Sequence, residues 1–267
     1  MIDWYQAIIL AVVQGVTEFL PISSSAHLAM SPILLGWPDQ GLAFDIAVHV
    51  GTLSAVLVFY RQDLQGMAGS WFGSLSGGPT DQNSQLVWYL AAATLPVAVV
   101  GVLANDFISS ELRNLPVIAT TTLIFGLLLG LADKRARLDS PVVSLTLTVA
   151  VIIGLSQALA LIPGVSRSGV TITAALLLGM DRQSSARFSF LLSIPVIASA
   201  GGLLALDLIG NGHGVNWRAL FVAVAVSGVT AYFCIATFIR LLDKVGLMPF
   251  VYYRLTLAAL LYFLIFY

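Results

Sequence analysis

The sequence predicts an all-α, polytopic integral membrane protein, and three observations carry that prediction. The 267 residues are 58% hydrophobic and only 9% charged, against about 25% charged in soluble domains. Mean hydropathy is +0.95. Apolar runs recur along the whole length, and two of them break off at matching polar motifs. At about 20 residues per spanning helix there is room for about eight to ten membrane segments and none for a separate soluble domain. A single membrane domain, 1–267, is expected.

Taken in order, the runs 4–20 and 22–35 are parted only by Pro21, far too little for a loop that leaves the bilayer, so the pair reads as a re-entrant helical hairpin. Runs 42–60, 86–104 and 115–132 have the length of spanning helices. Between the first two, 66–85 carries Gly73, Ser74, Ser76, Gly77, Gly78 and Pro79 and reads as a flexible connector. Runs 142–162 and 165–180, parted by Pro163 and Gly164, form a second hairpin, and 187–209, 217–242 and 249–267 complete six spans. Paired broken segments point to an inverted repeat with a central site. Its halves are expected at approximately 1–114 and 115–267.

Charge gives the orientation. With two re-entrant hairpins, the loops holding Arg61, Lys134, Arg135, Arg137, Arg182, Arg187, Arg240 and Lys244 share one side, and the other side holds Arg113 and Arg218. The first side is therefore read as cytoplasmic, with both termini outside. The hairpin tips then approach each other from opposite faces. Other features mainly exclude. The net charge of −1, with no basic stripe interleaved with aromatics, rules out a nucleic-acid surface. Cys234 is the only cysteine, so no intrachain disulfide or cysteine-built metal site can form, and it reads as a packed apolar side chain. Met1 to Tyr5 lacks the positive start of a cleavable signal, so the first apolar run is read as retained.

Setting Gln14 on Gln157 places Ser23 on Ser166, Ser24 on Arg167, Ser25 on Ser168 and Ala26 on Gly169 without a gap. Charged groups within hydrocarbon cost about 2.5 to 3.5 kcal/mol or more each on insertion scales, so Glu18 and Arg167 read by default as functional. Gln14 and Glu18 share a helical face, and Pro21 ends that helix before a second one opens at Ser23, Ser24 and Ser25. A helix N-terminus with hydroxyl donors is an anion site, and phosphate is its natural occupant. His27 lies three or four residues beyond Ser24 and Ser23, within helical reach as general acid or base. Arg167 supplies a planar fork for bidentate phosphate recognition, flanked by Ser166 and Ser168 and opened by Gly164 and Gly169.

Blander readings stand beside these. Each serine also suits an N-cap, Glu18 and Arg167 a structural ion pair, and His27 a packing role; the conjunction at two matching breaks favours the functional reading. Asp45 and His49, four apart, are expected to pair with each other. Asp207 and Arg254, near segment ends, are expected to snorkel. Tyr252, Tyr253 and Trp217 read as interfacial anchors.

In its length, in Gln14 to Glu18, in Pro21-Ile-Ser-Ser-Ser-Ala-His27 and in Pro163-Gly-Val-Ser-Arg-Ser-Gly169, the chain resembles the bacterial undecaprenyl-diphosphate phosphatases linked to bacitracin resistance. Weaker matches run through Phe44 to Gly51, Phe188 to Pro195 and Pro249 to Arg254. The resemblance implies hydrolysis of undecaprenyl diphosphate to the monophosphate and inorganic phosphate in the bacterial plasma (inner) membrane. It implies an active site open to the periplasmic side and a divalent cation, Mg²⁺ or Ca²⁺. By position, Ser24 and His27 match the nucleophile and acid/base, Arg167 the phosphate-binding arginine, and Glu18 the second acidic position and metal ligand. Gln14, Ser23, Ser25, Ser166, Ser168 and Gly164 are expected to bind substrate. Gln14 stands where some members carry glutamate, so a cation is expected to bridge Glu18 and the diphosphate; Ala26 stands where glycine is common. Membrane lipid is an expected partner, and self-association as a homo-oligomer is left open. The competing reading is a polyprenyl-phosphate flippase, since inverted repeats with broken helices also build transporters.

Overall fold

The computed structural model describes residues 2–136, 144–211 and 217–267, with the side chains of all but 105, 109 and 203–211. Every regular element among them is helical: α1 (Trp4–Thr17), α2 (Ser24–Leu35), α3 (Leu42–Phe59), α4 (Arg61–Leu75), α5 (Gln82–Phe107), α6 (Leu115–Arg135), α7 (Leu147–Ala158), α8 (Arg167–Leu177), α9 (Arg182–Asn211), α10 (Trp217–Val245) and α11 (Met248–Phe266), with short π and 3₁₀ turns after α5 and α7. Six helices, α3, α5, α6, α9, α10 and α11, are long and apolar enough to cross a membrane. The helices of the two broken pairs have 14, 12, 12 and 11 residues. At 1.5 Å per residue they reach about 16 to 21 Å, short of a ~30 Å hydrocarbon core. None of the four crosses alone.

Local chemistry sets the ends. Asp3 and Gln6 form a capping box on α1, and Asn114 and Thr146 cap α6 and α7 through their side chains. The connector expected at 66–85 is corrected here, because α4 runs through Leu75 and α5 starts at Gln82. Met67 is buried, and Trp71 packs edge-on against Trp88 of α5 with centroids 5.8 Å apart. Two aromatic rings hold a Gly- and Ser-rich stretch that composition alone makes a loop.

The pairing of helices is two-fold in pattern. α1 lies along α10 as α7 lies along α5, while α3 packs on α9 and α6 on α11. Exchanging α1, α3, α5 and α6 for α7, α9, α10 and α11 maps each of these pairs onto another or onto itself. A division after α6 gives both halves one order, a broken pair and then three spans; a division at 114/115 does not. Gly154 permits the α7–α5 approach, since a Cβ there would collide with the carbonyl of Ala93.

The core gathers around Phe19, Phe190 and Phe238, with Phe19 edge-on to Phe190 and Phe238 tilted against it at centroid distances of 5.2 and 5.7 Å. Large apolar side chains such as Leu103 and Phe221 stand about 80% exposed on the outer faces of their helices, as lipid-facing surfaces require. At one end of the bundle Arg182 pairs with the buried Asp133 (2.6 Å), Arg187 with Asp63 (2.8 Å), and Gln183 donates to Asp243 (2.9 Å). These bonds join the ends of α4, α6, α9 and α10, where Arg61, Lys134, Arg135, Arg240 and Lys244 also sit. Arg137 and the side chain of Asp207 lie outside the described residues.

Candidate active site

The two breaks share one backbone solution. After α1 the chain turns at Pro21, and Ser23 takes a φ of 74° to cap α2, its Oγ accepting from the N–H of Ala26 (3.4 Å) and lying 3.2 Å from Ser25 Oγ. After α7, a 3₁₀ turn (Leu159–Leu161) leads through Pro163 and Gly164 to Ser166, whose φ is 73°. Its Oγ accepts from the N–H of Gly169 (3.1 Å) and lies 3.2 Å from Ser168 Oγ. Among the described residues these two serines alone have positive φ without being glycine. Such a backbone costs about 1 to 3 kcal/mol and persists where its surroundings over-determine it.

Those surroundings are the opposite break and α11. Ser168 Oγ donates to the carbonyl of Leu20 (2.9 Å). Arg254, expected to snorkel, is instead fully buried. Its guanidinium donates to the carbonyls of Pro21 (3.2 Å), Gly164 (2.9 Å), Val165 (3.1 Å), Thr121 (3.4 Å) and Thr122 (3.2 Å). One side chain thus ties both breaks to α6. Gly164 is required on two counts, a φ of +91° and the lack of space for a Cβ, which would strike Thr121 Oγ1 and stand 2.7 Å from Ile118 O.

Glu18 is the hub of the side chains that meet there. Arg167 Nη2 donates to its Oε1 (3.2 Å), while Ser24 Oγ (2.7 Å) and Gln14 Nε2 (3.0 Å) donate to its Oε2. His49 Nε2 stands 3.7 Å from the same oxygen. Arg167 is further fixed by donating from Nη1 to Ser189 O (3.0 Å). Ser24 and Arg167 are each the first residue of a helix, so two helix N-termini meet here. Glu18, Ser23, Ser24, Ser25, Ser166 and Arg167 line a cavity of about 350 Å³, with Asp45 and His49 beside them and Val97, Leu161 and Ile197 as an apolar wall. It draws on the first half of α3 and the later part of α9, away from the bundle end that holds Arg182 and Arg187.

Four of the expected residues do not line that cavity. Gln14 acts on Glu18, Ser168 on the first break, and Gly164 gives its carbonyl to Arg254. His27 donates from Nδ1 to Ser23 O (2.7 Å), and its Nε2 meets Tyr253 Oη (2.5 Å), the two rings stacked at 5.7 Å. His49, expected to pair with the Asp45 side chain, instead faces Glu18. Its Nδ1–H goes to the backbone carbonyl of Asp45 (2.7 Å), which turns Nε2 into the cavity, and the Asp45 carboxylate takes Gln40 (3.0 Å) instead. The i, i+4 spacing does join the two residues, through the backbone carbonyl of Asp45 and not its carboxylate.

Among the described residues no three His, Cys, Asp or Glu side chains gather as a metal cage. Glu18 offers a single carboxylate whose oxygens already serve Arg167, Ser24 and Gln14. Such a donor set suits a hard cation that takes most of its ligands from a bound anion and water. Chemically, the site presents a serine hydroxyl polarised by a carboxylate beside a fixed guanidinium.

The family profile described as bacitracin resistance protein BacA matches residues 7–260. Among similar proteins is one named undecaprenyl-diphosphatase from Teredinibacter turnerae, 52% identical over 260 residues, covering 97% of this chain and 98% of that protein. Proteins of the same name from Alcanivorax borkumensis (54% over 261 residues, 98% of each chain) and Chromohalobacter salexigens (53% over 259 residues, 97% and 98%) are similar to the same extent.

Proposed function

The chain belongs to the bacitracin resistance protein BacA family, and from that premise and the geometry of the breaks we propose that it is an undecaprenyl-diphosphate phosphatase. It hydrolyses the lipid diphosphate to undecaprenyl phosphate and inorganic phosphate, which returns the carrier to peptidoglycan synthesis and gives bacitracin resistance. The observation that carries this reading is the hydrogen-bonded line Ser24, Glu18, Arg167 facing one cavity.

Arg167 binds the terminal phosphoryl group with both helix N-termini, which stabilise the charge on its equatorial oxygens. Ser24 Oγ attacks that phosphorus as its proton passes along the existing hydrogen bond to Glu18, and the bond to the bridging oxygen breaks to release undecaprenyl phosphate. Water then cleaves the phosphoserine and inorganic phosphate leaves. Val97, Leu161 and Ile197 receive the first isoprene units of the tail. His27, engaged by Ser23 and Tyr253, holds the start of α2 behind Ser24. A divalent cation, Mg²⁺ or Ca²⁺, would be held by Glu18 with diphosphate oxygens and would neutralise charge. The protein resides in the bacterial plasma membrane with the cavity open to the periplasmic side, a reading supported by the cavity's place away from the cationic end.

The test is phosphate release from undecaprenyl diphosphate by detergent-purified protein, with and without Mg²⁺, for wild type and for Glu18→Ala, Ser24→Ala, His27→Ala and Arg167→Ala. Wild-type release that vanishes in the Glu18, Ser24 and Arg167 variants is expected. Lipid binding with no release under any divalent cation would refute the proposal.

A further inference from the structure

Gln157, in α7, is fully buried and lines the cavity with Ser166 and Arg167, yet neither amide atom has a hydrogen-bond partner. The large majority of buried side-chain polar atoms are paired, so a bare amide in a cavity wall calls for an explanation. The repeat supplies one. With Gln14 set on Gln157, Glu18 falls on Leu161. Gln14 donates to Glu18 four residues on, whereas Gln157 finds at the matching place a leucine, which offers no acceptor and itself lines the cavity.

We propose that Gln157 is a substrate-binding residue whose amide N–H donates to an oxygen of the diphosphate held between Arg167 and Ser24. The identity of that diphosphate rests on the phosphatase reading. The amide suits the task because it is neutral: it adds a donor for the anion without competing with Arg167 for Glu18. Its oxygen is left to accept from water. The second half thereby holds the anion through Arg167 and Gln157, and the first half contributes Ser24 and Glu18.

The experiment compares wild type with Gln157→Leu and Gln157→Glu in detergent, reading kcat, KM and the ligand-free melting temperature. Equilibrium binding of undecaprenyl diphosphate is measured in parallel on Ser24→Ala with and without Gln157→Leu. The expected result for Gln157→Leu is an unchanged or higher melting temperature, because an unpaired amide is removed. KM rises about tenfold, with a smaller change in kcat, and the binding pair shows a similar loss. Gln157→Glu weakens binding further by placing an acceptor against the anion. A lower melting temperature with KM and affinity unchanged would make the residue structural and overturn the proposal. If wild type released no phosphate, the phosphatase reading would fall, and equal affinities in the binding pair would separately sink the role of Gln157.

Discussion

The first and second breaks differ in what they carry on one backbone. Both cap a helix with a serine at positive φ, both set a second serine hydroxyl 3.2 Å from it, and both follow a proline. Yet Glu18 and Ser24 in one correspond to Leu161 and Arg167 in the other. One backbone arrangement used twice thus supplies two helix N-termini, and the side chains give one the hydroxyl and carboxylate and the other the guanidinium. The positive φ belongs to the scaffold and the chemistry to the difference.

The comparison can be broken most sharply by exchanging the identities in the double variant Ser24→Arg with Arg167→Ser. It keeps the same residues in the same cavity, and turnover should fall by about 10³-fold or more if the breaks are no longer interchangeable; phosphate release at wild-type rate would show that they are. Next in size is Arg254→Met, which withdraws a donor from five carbonyls, three of them at the breaks. It should cost about 3 kcal/mol or more, at about 1 to 3 kcal/mol for each buried acceptor left unsatisfied, read as a lower melting temperature with faster proteolysis at both breaks alike. Ser23→Ala and Ser166→Ala test the scaffold. Each loses a cap worth about 1 kcal/mol, and the two melting temperatures should fall together; a marked inequality would show that the breaks are held differently. The smallest effect is expected of Tyr253→Phe, which frees His27 Nε2 and should change kcat by about two- to threefold, measured against an unchanged KM.

Much of this was legible in the chain. Six spans followed from hydropathy, and the matching breaks from the offset between Gln14 and Gln157, because both are local properties of sequence. The helix α4 was not, since tertiary packing of Trp71 on Trp88 overrides a composition rich in glycine and serine. Nor was Arg254, which lies six residues into α11. At that depth its side chain is long enough to reach either the interface or the interior, and what decides is a set of carbonyls from α6 and two breaks far away in sequence. The place of His49 is not legible from spacing, which shows that two residues share a face and not which atom accepts the hydrogen bond.

The tie made by Arg254 also has a bearing on biogenesis. A chain emerges from the ribosome N-terminus first, and the two breaks, complete by about residue 169, gain the donors that Arg254 extends to their carbonyls only when α11 has been made. This tie is therefore made after every side chain that lines the cavity is already in the chain. A nascent chain arrested before α11 would have both breaks made and joined through Ser168 and Arg167, but without the tie to α11.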